Sequence, residues 1–307
     1  MEGIVVKSTG SWYEVLIDRS TRIKARLRGK FKIKDLNVTN PIAVGDKVLC
    51  QLELGEEGTY VIHEIFPREN YIIRKSVHKA KQGHLIAANI DQMALIVTLY
   101  QPRTSLGFID RFLVSAEAFR IPAIIVFNKV DLYNEEELET LNKLSILYTS
   151  LGYQCVVTSV VQDIGITELK LKIADKITLF SGHSGVGKSS LLNLIDVRLD
   201  LRTAEVSTFA DKGVHTTTFA EMFTTAKDTY VIDTPGIKEL GIFEIGQEEL
   251  AHYFPEMLAL MGDCKFNNCR HINEPGCAVI SALKQGSLSP TRYQSYISML
   301  NNEDNYR

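Results

Sequence analysis

Cysteine and long apolar runs are both scarce in this 307-residue sequence, and each scarcity excludes a class of protein. The five cysteines are an odd number, with three of them inside residues 264–277, so a disulfide framework is disfavoured and a reducing compartment is favoured. The longest apolar stretches, such as residues 93–97, fall well short of the roughly 18 residues that suggest a membrane span. Residues 1–7 show no basic segment followed by a long apolar one, so we expect no export signal. We therefore expect a cytoplasmic, globular protein with no membrane contact.

A strong net charge is also lacking, because 34 Lys and Arg oppose 37 Asp and Glu, which gives a net charge of −3. This balance argues against a protein that coats nucleic acid through bulk electrostatics. The charge is nevertheless uneven. Residues 1–34 hold nine basic and three acidic residues, a balance of +6 that leaves −9 for the remainder. With 45% apolar residues, the chain can form the cores of two or three domains.

Residues 1–66 have the pattern of short strands separated by turns. The candidate strands are residues 3–7, 12–17, 22–34, 47–52 and 60–65. Five short strands favour an OB-type barrel, with an SH3-like barrel as the alternative. We expect the single tryptophan, Trp12, to pack in the core rather than to stack on a base.

The third candidate strand carries seven Lys or Arg at alternate positions from Arg22 to Lys34, with no acid between them. In a strand, this period places every cation on one face and the apolar residues on the other. Like charges on one face repel one another unless a polyanion meets them, so we interpret this face as a nucleic-acid contact rather than an ordinary solvated face. Residues 67–84 are also basic and predict a connector along the same polyanion.

From Ile90 onward, apolar strands alternate with helices, which predicts a doubly wound α/β sheet with its ligand at the carboxyl ends of the strands. The strands are residues 93–99, 123–127, 154–157, 177–180 and 229–232, and the helices include residues 109–119 and 135–147. Asn134 caps the second of these helices, and Glu136 and Glu137 lie in its positive first turn.

A complete Gly-x4-Gly-Lys-Ser phosphate loop follows the strand at residues 177–180. Successive backbone N–H groups hold phosphate in such a loop, Lys188 adds charge for the β and γ phosphates, and the Ser189 hydroxyl faces Mg²⁺. A glycine-rich turn that matches by chance is the alternative, and the preceding strand and the helical continuation argue against it. The candidate phosphate-binding residues are Gly182, His183, Ser184, Gly185, Val186, Gly187, Lys188, Ser189 and Ser190.

The strand at residues 123–127 ends in Asn128-Lys129-Val130-Asp131, which indicates specificity for guanine. The Asp131 carboxylate can accept hydrogen bonds from guanine N1–H and the 2-amino group, whereas adenine presents no matching pair of donors. Asn128 would brace the neighbouring loops, and the Lys129 stem would lie over the base. Residues 158–160, centred on Ser159, would supply a backbone N–H to guanine O6.

The strand at residues 229–232 runs into Asp233-Thr234-Pro235-Gly236. Asp233 can hold Mg²⁺ through a water, and the Gly236 N–H can bond the γ-phosphate, so that hydrolysis releases this segment as a switch. In Ras-like GTPases the phosphate loop comes first and Asn-Lys-x-Asp comes late, whereas here Asn128 precedes Gly182. The order predicts a circularly permuted GTPase domain.

Hydrolysis is expected to be slow without a partner, because Ile237 follows Gly236 where Ras-like proteins have the glutamine that positions water. A threonine of residues 213–218, Thr216 or Thr217, would complete the Mg²⁺ coordination together with Ser189 and Asp233. His215 is the candidate for positioning the attacking water, with an exposed bystander as the alternative. The candidate catalytic residues are His215, Lys188 and Thr217.

Three thiols and one imidazole lie close together near the end of the sequence, at Cys264, Cys269, His271 and Cys277. This donor set is what tetrahedral Zn²⁺ prefers, and four protein ligands leave no open position, so the spacing predicts one structural zinc ion. Helices are expected at residues 248–261, 278–284 and 290–300, with Arg292 and Tyr293 exposed on the last.

These motifs together resemble one family over nearly the whole chain: RsgA, the bacterial ribosome-small-subunit-dependent GTPases. The residues that carry the resemblance are 128–131, 181–191, 213–218, 233–236 and 264–277, with 88–92 and 110–111 in support. The chain departs from the family at Val214, where a basic residue often precedes the histidine.

The resemblance implies an OB domain at residues 1–66, a permuted GTPase domain at 67–242 and a helical zinc domain at 243–307. It also implies a monomeric GTP hydrolase that uses GTP, GDP and Mg²⁺, binds the small ribosomal subunit and its rRNA, and acts late in assembly. A GTP-dependent metallochaperone is one alternative, but it needs labile metal ligands near the switches. A non-hydrolysing RNA-binding scaffold is another, and intact Lys188, Ser189 and Asp233 argue against it.

Overall fold

The computed structural model of the protein describes residues 1–18, 20–27, 38, 40–53, 58–75, 83–201, 220–226, 228–234 and 245–301. The strands are β1 Glu2–Ser8, β2 Trp12–Leu16, β3 Arg22–Leu27, β4 Lys47–Leu52, β5 Thr59–Ile65, β6 Tyr71–Lys75, β7 Gly83–Ala88, β8 Gln92–Val97, β9 Ala123–Phe127, β10 Gln154–Val157, β11 Ile177–Gly182, β12 Glu221–Ala226 and β13 Thr229–Asp233. The helices are α1 Leu106–Ala118, α2 Glu135–Ser150, α3 Ile166–Ile173, α4 Lys188–Ile195, α5 Pro255–Met261, α6 Ala278–Gln285 and α7 Pro290–Leu300. Over these described ranges, none of the helices has the length and apolar character needed to cross a bilayer.

The predicted OB-type barrel is confirmed. Strand β1 pairs with both β2 and β4, β2 pairs with β3, and β3 runs parallel to β5, which pairs with β4. These pairings close the sheet on itself, and alternate residues such as Val5, Val15 and Ala25 fill its interior. The prediction for Trp12 was wrong: it is 44% exposed, because it opens β2 with its side chain on the outer face.

The cationic face of β3 points outward as predicted, but it is not free of acids. Arg22 pairs with Glu14 at 3.4 Å, and Arg26 pairs with Glu53 at 2.7 Å. Both acids lie outside residues 22–34, so the sequence of that segment alone shows no acid that could pair with its cations. Lys24 is exposed, and residues 28–34 lie outside the described part of the chain.

The segment predicted as a basic connector is partly a two-stranded sheet. Strands β6 and β7 pair antiparallel, and Ile72 and Leu85 are fully buried. Arg68, from the same segment, binds the fully buried carboxylate of Asp46 at 2.6 Å. The cation here therefore has a structural partner, and the connector is fixed against the barrel.

The doubly wound sheet is confirmed, with the strand order β10-β9-β8-β11-β13-β12. All neighbours are parallel except β12, which is antiparallel to β13. Two apolar clusters, built around Phe112 and Leu191, contain side chains of this sheet. A capping box of Asn134 and Glu137 begins α2, as the sequence predicts.

The permutation leaves the sheet intact. Strand β9, which is followed by Asn128, and strand β11, which leads to the phosphate loop, both pair with β8, although β9 comes first in the chain. Because parallel strands present their carboxyl ends at the same edge, the two motifs meet there whatever their order in sequence.

The barrel and the α/β domain share one continuous sheet of eleven strands, because β1 pairs with β12. The barrel therefore joins the α/β domain at the strand beside β13, which carries Asp233.

The C-terminal module packs on α1, and its apolar cluster includes Val114 of that helix. The helix predicted at residues 248–261 is divided at Phe254: a 3-10 turn spans Leu250–Tyr253 and Pro255 opens α5. Proline has no N–H to continue a preceding helix but suits a first helical position, which explains the break.

The prediction that Arg292 is exposed was wrong. Its side chain is 1% exposed and donates to Asp110 of α1 and to Glu256 of α5, both at 2.7 Å. Tyr148 of α2 donates to the same Asp110 oxygen at 2.9 Å. The polar residue lies on the buried face of α7 because it meets charges from two other helices, which the pattern of α7 alone cannot indicate.

Candidate nucleotide-binding site and metal centre

The phosphate loop connects β11 to α4, and its conformation needs glycine at two positions. Gly187 has φ +90°, and a Cβ there would lie 2.5 Å from the Asn128 side-chain nitrogen. Gly182 would bring a Cβ within 2.6 Å of the Ile96 carbonyl oxygen. Any larger residue at either position would displace the loop, so the backbone can approach a phosphate closely only with glycine.

Lys188 opens α4, and its ammonium group donates to Asp233 Oδ1 and to the Thr234 carbonyl oxygen. The lysine and the aspartate side chains are 11% and 9% exposed. The structure thus brings together the predicted phosphate-binding cation and the predicted magnesium carboxylate. Thr234 donates to the Phe180 carbonyl oxygen at 2.8 Å and fixes the end of β13 against β11.

These groups suit a nucleotide with Mg²⁺. The Ser189 and Ser190 hydroxyls lie in the first turn of α4, where the helix dipole favours an anion. Asp233 is a nearly buried carboxylate at the carboxyl end of a strand, which is an oxygen ligand of the type Mg²⁺ prefers. Ser184 and Gly185 are exposed at the loop tip, whereas Val186 is fully buried and anchors it.

Asn128 braces two loops, as predicted. Its amide donates to the Val186 carbonyl oxygen at 2.9 Å and accepts from the Thr158 hydroxyl at 2.9 Å. Only 1% of the residue is exposed, so this bridge is shielded from water. The turn that contains Asp131 is thereby held at a fixed position relative to the phosphate loop.

Asp131 and Ser159 form a direct pair. The Ser159 hydroxyl donates to Asp131 Oδ1 at 2.5 Å, which orients the carboxylate. The Ser159 backbone N–H donates to the Ile164 carbonyl oxygen at 3.1 Å. The Thr158 N–H likewise donates within the protein, to the Phe127 carbonyl oxygen at 2.8 Å.

A loop between β8 and α1 contributes contacts that sequence reasoning missed. The Lys129 ammonium donates to the Gln101 carbonyl oxygen at 3.1 Å, and Lys129 itself has a left-handed backbone with φ 62°. The Tyr133 hydroxyl accepts from the Leu99 N–H at 2.7 Å. Irregular loops carry no periodic signal, so only the fold places this one beside the turn that contains Asp131.

Helix α1 also reaches the phosphate loop. The ring of Phe108 lies on His183, with 3.9 Å between ring centroids and 33° between planes. The helix therefore contacts the phosphate loop through Phe108 and Arg292 of the C-terminal module through Asp110. His215, Thr217 and Gly236 lie outside the described residues, so their roles stay predictions.

The four predicted zinc ligands converge. Their ligand atoms all lie within 4.8 Å of one another, and His271 Nδ1 is 3.3 Å from Cys277 Sγ and 3.7 Å from Cys264 Sγ. Burial lowers the pKa of His271, which favours the neutral imidazole that binds a metal. Burial also raises the pKa of Cys269, so a nearby cation is needed to stabilise its thiolate. The donor set therefore fits a tetrahedral Zn²⁺.

Tyrosines of α7 and one glutamate hold the loop that carries these ligands. The Tyr293 hydroxyl donates to the His271 carbonyl oxygen at 2.7 Å, and that of Tyr296 donates to the Arg270 carbonyl oxygen at 2.6 Å. The Glu274 carboxylate accepts N–H bonds from Arg270 and Ile272, both at 2.8 Å. Although partial burial acts to raise the pKa of Glu274, these and neighbouring N–H bonds lower it to about 2. Such a braced site favours a structural metal over the labile one that a metallochaperone needs.

Two family models cover most of the chain. The model of the RsgA GTPase matches residues 65–243, and that of the RsgA N-terminal domain matches residues 2–60. The chain belongs to the RsgA GTPase family. Membership supports guanine nucleotide and Mg²⁺ as ligands and GTP hydrolysis as the activity.

Similar proteins extend over the whole length. The small ribosomal subunit biogenesis GTPase RsgA of Cytophaga hutchinsonii is 55% identical over 307 residues, which is 100% of both chains. RsgA 2 of Bacteroides thetaiotaomicron, with the same description, is 51% identical over 99% of this chain and 97% of its own. The crystal structure of YjeQ from Thermotoga maritima has a TM-score of 0.79 at 37% identity, covering 100% and 99%. YloQ, described as a circularly permuted GTPase, has a TM-score of 0.74 at 31% identity, covering 100% and 96%.

The Asp131–Ser159 pair yields a prediction about base specificity. In Asp131→Asn, one carboxylate oxygen becomes an N–H donor that faces a guanine donor, so at least one charge-assisted bond is lost. We expect the affinity for GTP to fall by about 10- to 150-fold, the equivalent of roughly 1.5–3 kcal/mol. Xanthosine triphosphate, which has an acceptor in place of the 2-amino group, should bind the variant better than GTP does.

Titration with fluorescent analogues of both nucleotides measures this change in specificity, and Glu139→Gln on the exposed face of α2 is the control. Equal losses for both nucleotides would contradict base reading by Asp131.

Proposed function

We propose that the protein binds Mg²⁺–GTP, associates with the small ribosomal subunit during its late maturation, and hydrolyses GTP to GDP and phosphate when the subunit stimulates it. Its place of action would be the cytoplasm. The observation that carries the nucleotide part is the buried bridge from Asn128 to Val186, which ties the guanine-reading turn to the phosphate loop. The relatives' names, at 51–55% identity over nearly full length, support the ribosomal part.

Each group at the sheet edge has a defined task in this proposal. Lys188 would donate to the β and γ phosphates, and Ser189, Thr217 and Asp233 would hold Mg²⁺. When bound, Mg²⁺ would neutralise charge on the phosphates. Asp131 reads the base, and we assign the N–H for guanine O6 to Val160, since Thr158 and Ser159 use theirs within the protein. Gly236 senses the γ-phosphate, and His215 positions the attacking water.

The three predicted domains divide this work. Residues 1–66 present cations to rRNA, residues 67–242 bind and hydrolyse GTP, and residues 243–307 form a zinc-stabilised module attached to α1. We expect the protein to act as a monomer in complex with one subunit. The four clustered ligands would leave no open position on a tetrahedral zinc ion, so the metal would have a structural role in the module.

The direct test is GTP hydrolysis by the purified protein with and without purified small ribosomal subunits. We expect slow turnover by the protein alone and a large stimulation by the subunits. The reason is that the protein lacks the glutamine that positions the attacking water in Ras-like proteins. Lys188→Ala should remove both rates, which excludes a contaminating hydrolase. If the subunits leave the wild-type rate unchanged, ribosome-stimulated hydrolysis is wrong and another RNA partner has to be sought. His215→Ala is the next variant if stimulation is seen.

A further inference from the structure

One register row of the continuous sheet carries an ionisable side chain in each of five adjacent strands. The Cα partners along it are Lys24 with Glu14, Glu14 with Lys7, Lys7 with Glu221, and Glu221 with Asp233. The row begins on β3, whose cations form the outer face of the barrel, and ends on the candidate magnesium carboxylate. It therefore connects the two sites that the proposed function has to coordinate.

Directly opposite residues of neighbouring strands point to the same face, with Cβ atoms about 4.5–5.5 Å apart. Charges alternate in sign along the row until its last step, where Glu221 and Asp233 are both acidic. Like charges directly opposite each other destabilise a strand pair. The pair of Glu221 and Asp233 is thus tolerated only while cations compensate both carboxylates.

The compensating cations come from the two sites themselves. Glu221 pairs with Lys7 at 2.8 Å and with Arg22 at 3.8 Å, and both cations belong to the barrel. Asp233 pairs with Lys188 of the phosphate loop. The Glu221 side chain is only 19% exposed, so its interactions are less screened by salt than those of a surface pair.

We propose that Glu221 is a positioning residue that couples polyanion binding on the barrel to Mg²⁺–GTP binding at Asp233. This inference rests on the proposed function, because the polyanion is the rRNA of the small subunit. Arg22 is the movable partner, since its side chain is 39% exposed and also contacts Glu14. An RNA phosphate that engages Arg22 draws it away from Glu221.

The sign of the coupling follows from the charges. Glu221 without Arg22 makes the potential beside Asp233 more negative. A more negative potential stabilises a divalent cation at Asp233 more than the monovalent ammonium of Lys188. RNA binding therefore favours the state in which Asp233 faces Mg²⁺ and Lys188 is free for the phosphates. By linkage, Mg²⁺–GTP must favour RNA binding by the same factor.

The test is a binding measurement and needs no turnover. The affinity for purified small subunits is measured with GDP and with a non-hydrolysable GTP analogue, and the ratio of the two affinities gives the coupling. In Glu221→Gln we expect this ratio to fall by about five-fold, the fold-change that about 1 kcal/mol produces. Affinity for the analogue in the absence of subunits should change less.

Two variants separate coupling from simple loss of structure. Glu53→Gln breaks the Arg26 pair on the same barrel face but lies outside the row, so the ratio should stay at the wild-type value. Glu221→Asp keeps the charge and should retain most of the ratio. A wild-type ratio in Glu221→Gln would overturn the inference, and so would an equal loss in Glu53→Gln. Failure of the wild-type protein to bind subunits at all would instead reject the proposed function.

Discussion

Removal of zinc is expected to unfold the C-terminal module while the nucleotide site keeps its affinity. Within residues 245–301, the module contains three short α-helices, and its apolar cluster includes Cys264, Cys269 and Cys277 themselves. We expect so small a core to need the metal that links its ligands. A structural zinc contributes on the order of 10 kcal/mol to the folding of such a module, so we expect its loss to unfold the module.

The measurement combines zinc content, limited proteolysis and nucleotide titration on Cys269→Ser and on chelator-treated protein. We expect one zinc ion per wild-type chain, none in the variant, cleavage within residues 245–301, and an unchanged affinity for GTP. Cys155→Ala is the matched control, because Cys155 is a half-buried thiol on β10, outside the cluster. Protection of residues 245–301 from proteolysis in the zinc-free protein would show that the metal has no structural role.

Loss of the Arg292 side chain is the other change with a large expected effect. In Arg292→Ala, Asp110 and Glu256 remain, 1% and 12% exposed, without the guanidinium that compensates them. Removing one partner of a buried ion pair costs about 3–5 kcal/mol, because the other charge stays buried. We expect denaturant unfolding monitored by the signal of the C-terminal module to show a loss of this size.

The matched control for this variant is Lys143→Ala. Lys143 pairs with Glu139 at a similar distance, 2.7 Å, but the two side chains are 72% and 66% exposed. An exposed helical pair is screened by water and contributes little to stability. A comparable loss in both variants would contradict the role assigned to the buried network.

The effect of Arg292→Ala should also depend on pH. Burial raises the pKa of Asp110 although Arg292 opposes that shift, so the folded protein binds this proton more tightly than the unfolded chain does. The protonated acid tolerates burial, and stability is lost as the pH rises through the folded-state pKa. Removing Arg292 raises this pKa further. The loss of stability should therefore be smaller at about pH 5 than at about pH 8, and a pH-independent loss would show that Asp110 stays ionised.

Local sequence signals were sufficient to predict the elements of the candidate nucleotide site. The phosphate loop and the turn at Asn128 each follow an apolar strand, and both are recognisable because their function demands glycine or particular side chains at fixed spacing. The zinc ligands were recognisable for the same reason. Their chemistry depends on residues close together in the chain, which a sequence shows directly.

Sequence signals failed where one residue's environment comes from distant segments. Trp12 was expected in the core and is exposed, and Arg292 was expected outside and is buried against α1 and α5. In both cases hydrophobicity and local periodicity led to the wrong prediction of burial. Whether each side chain finds partners depends on how distant segments pack against it.

The sequence by itself determined the fold classes and the permuted order of the motifs, and it predicted which residues bind guanine, phosphate and zinc. Only the tertiary structure decided that β1 pairs with β12, that Glu221 lies opposite Asp233, and that α1 contacts both the phosphate loop and Arg292. The physical reason is that strand register and helix docking join residues far apart in the chain. The energies that select them are cross-strand and buried contacts, which leave no periodic trace in either segment alone.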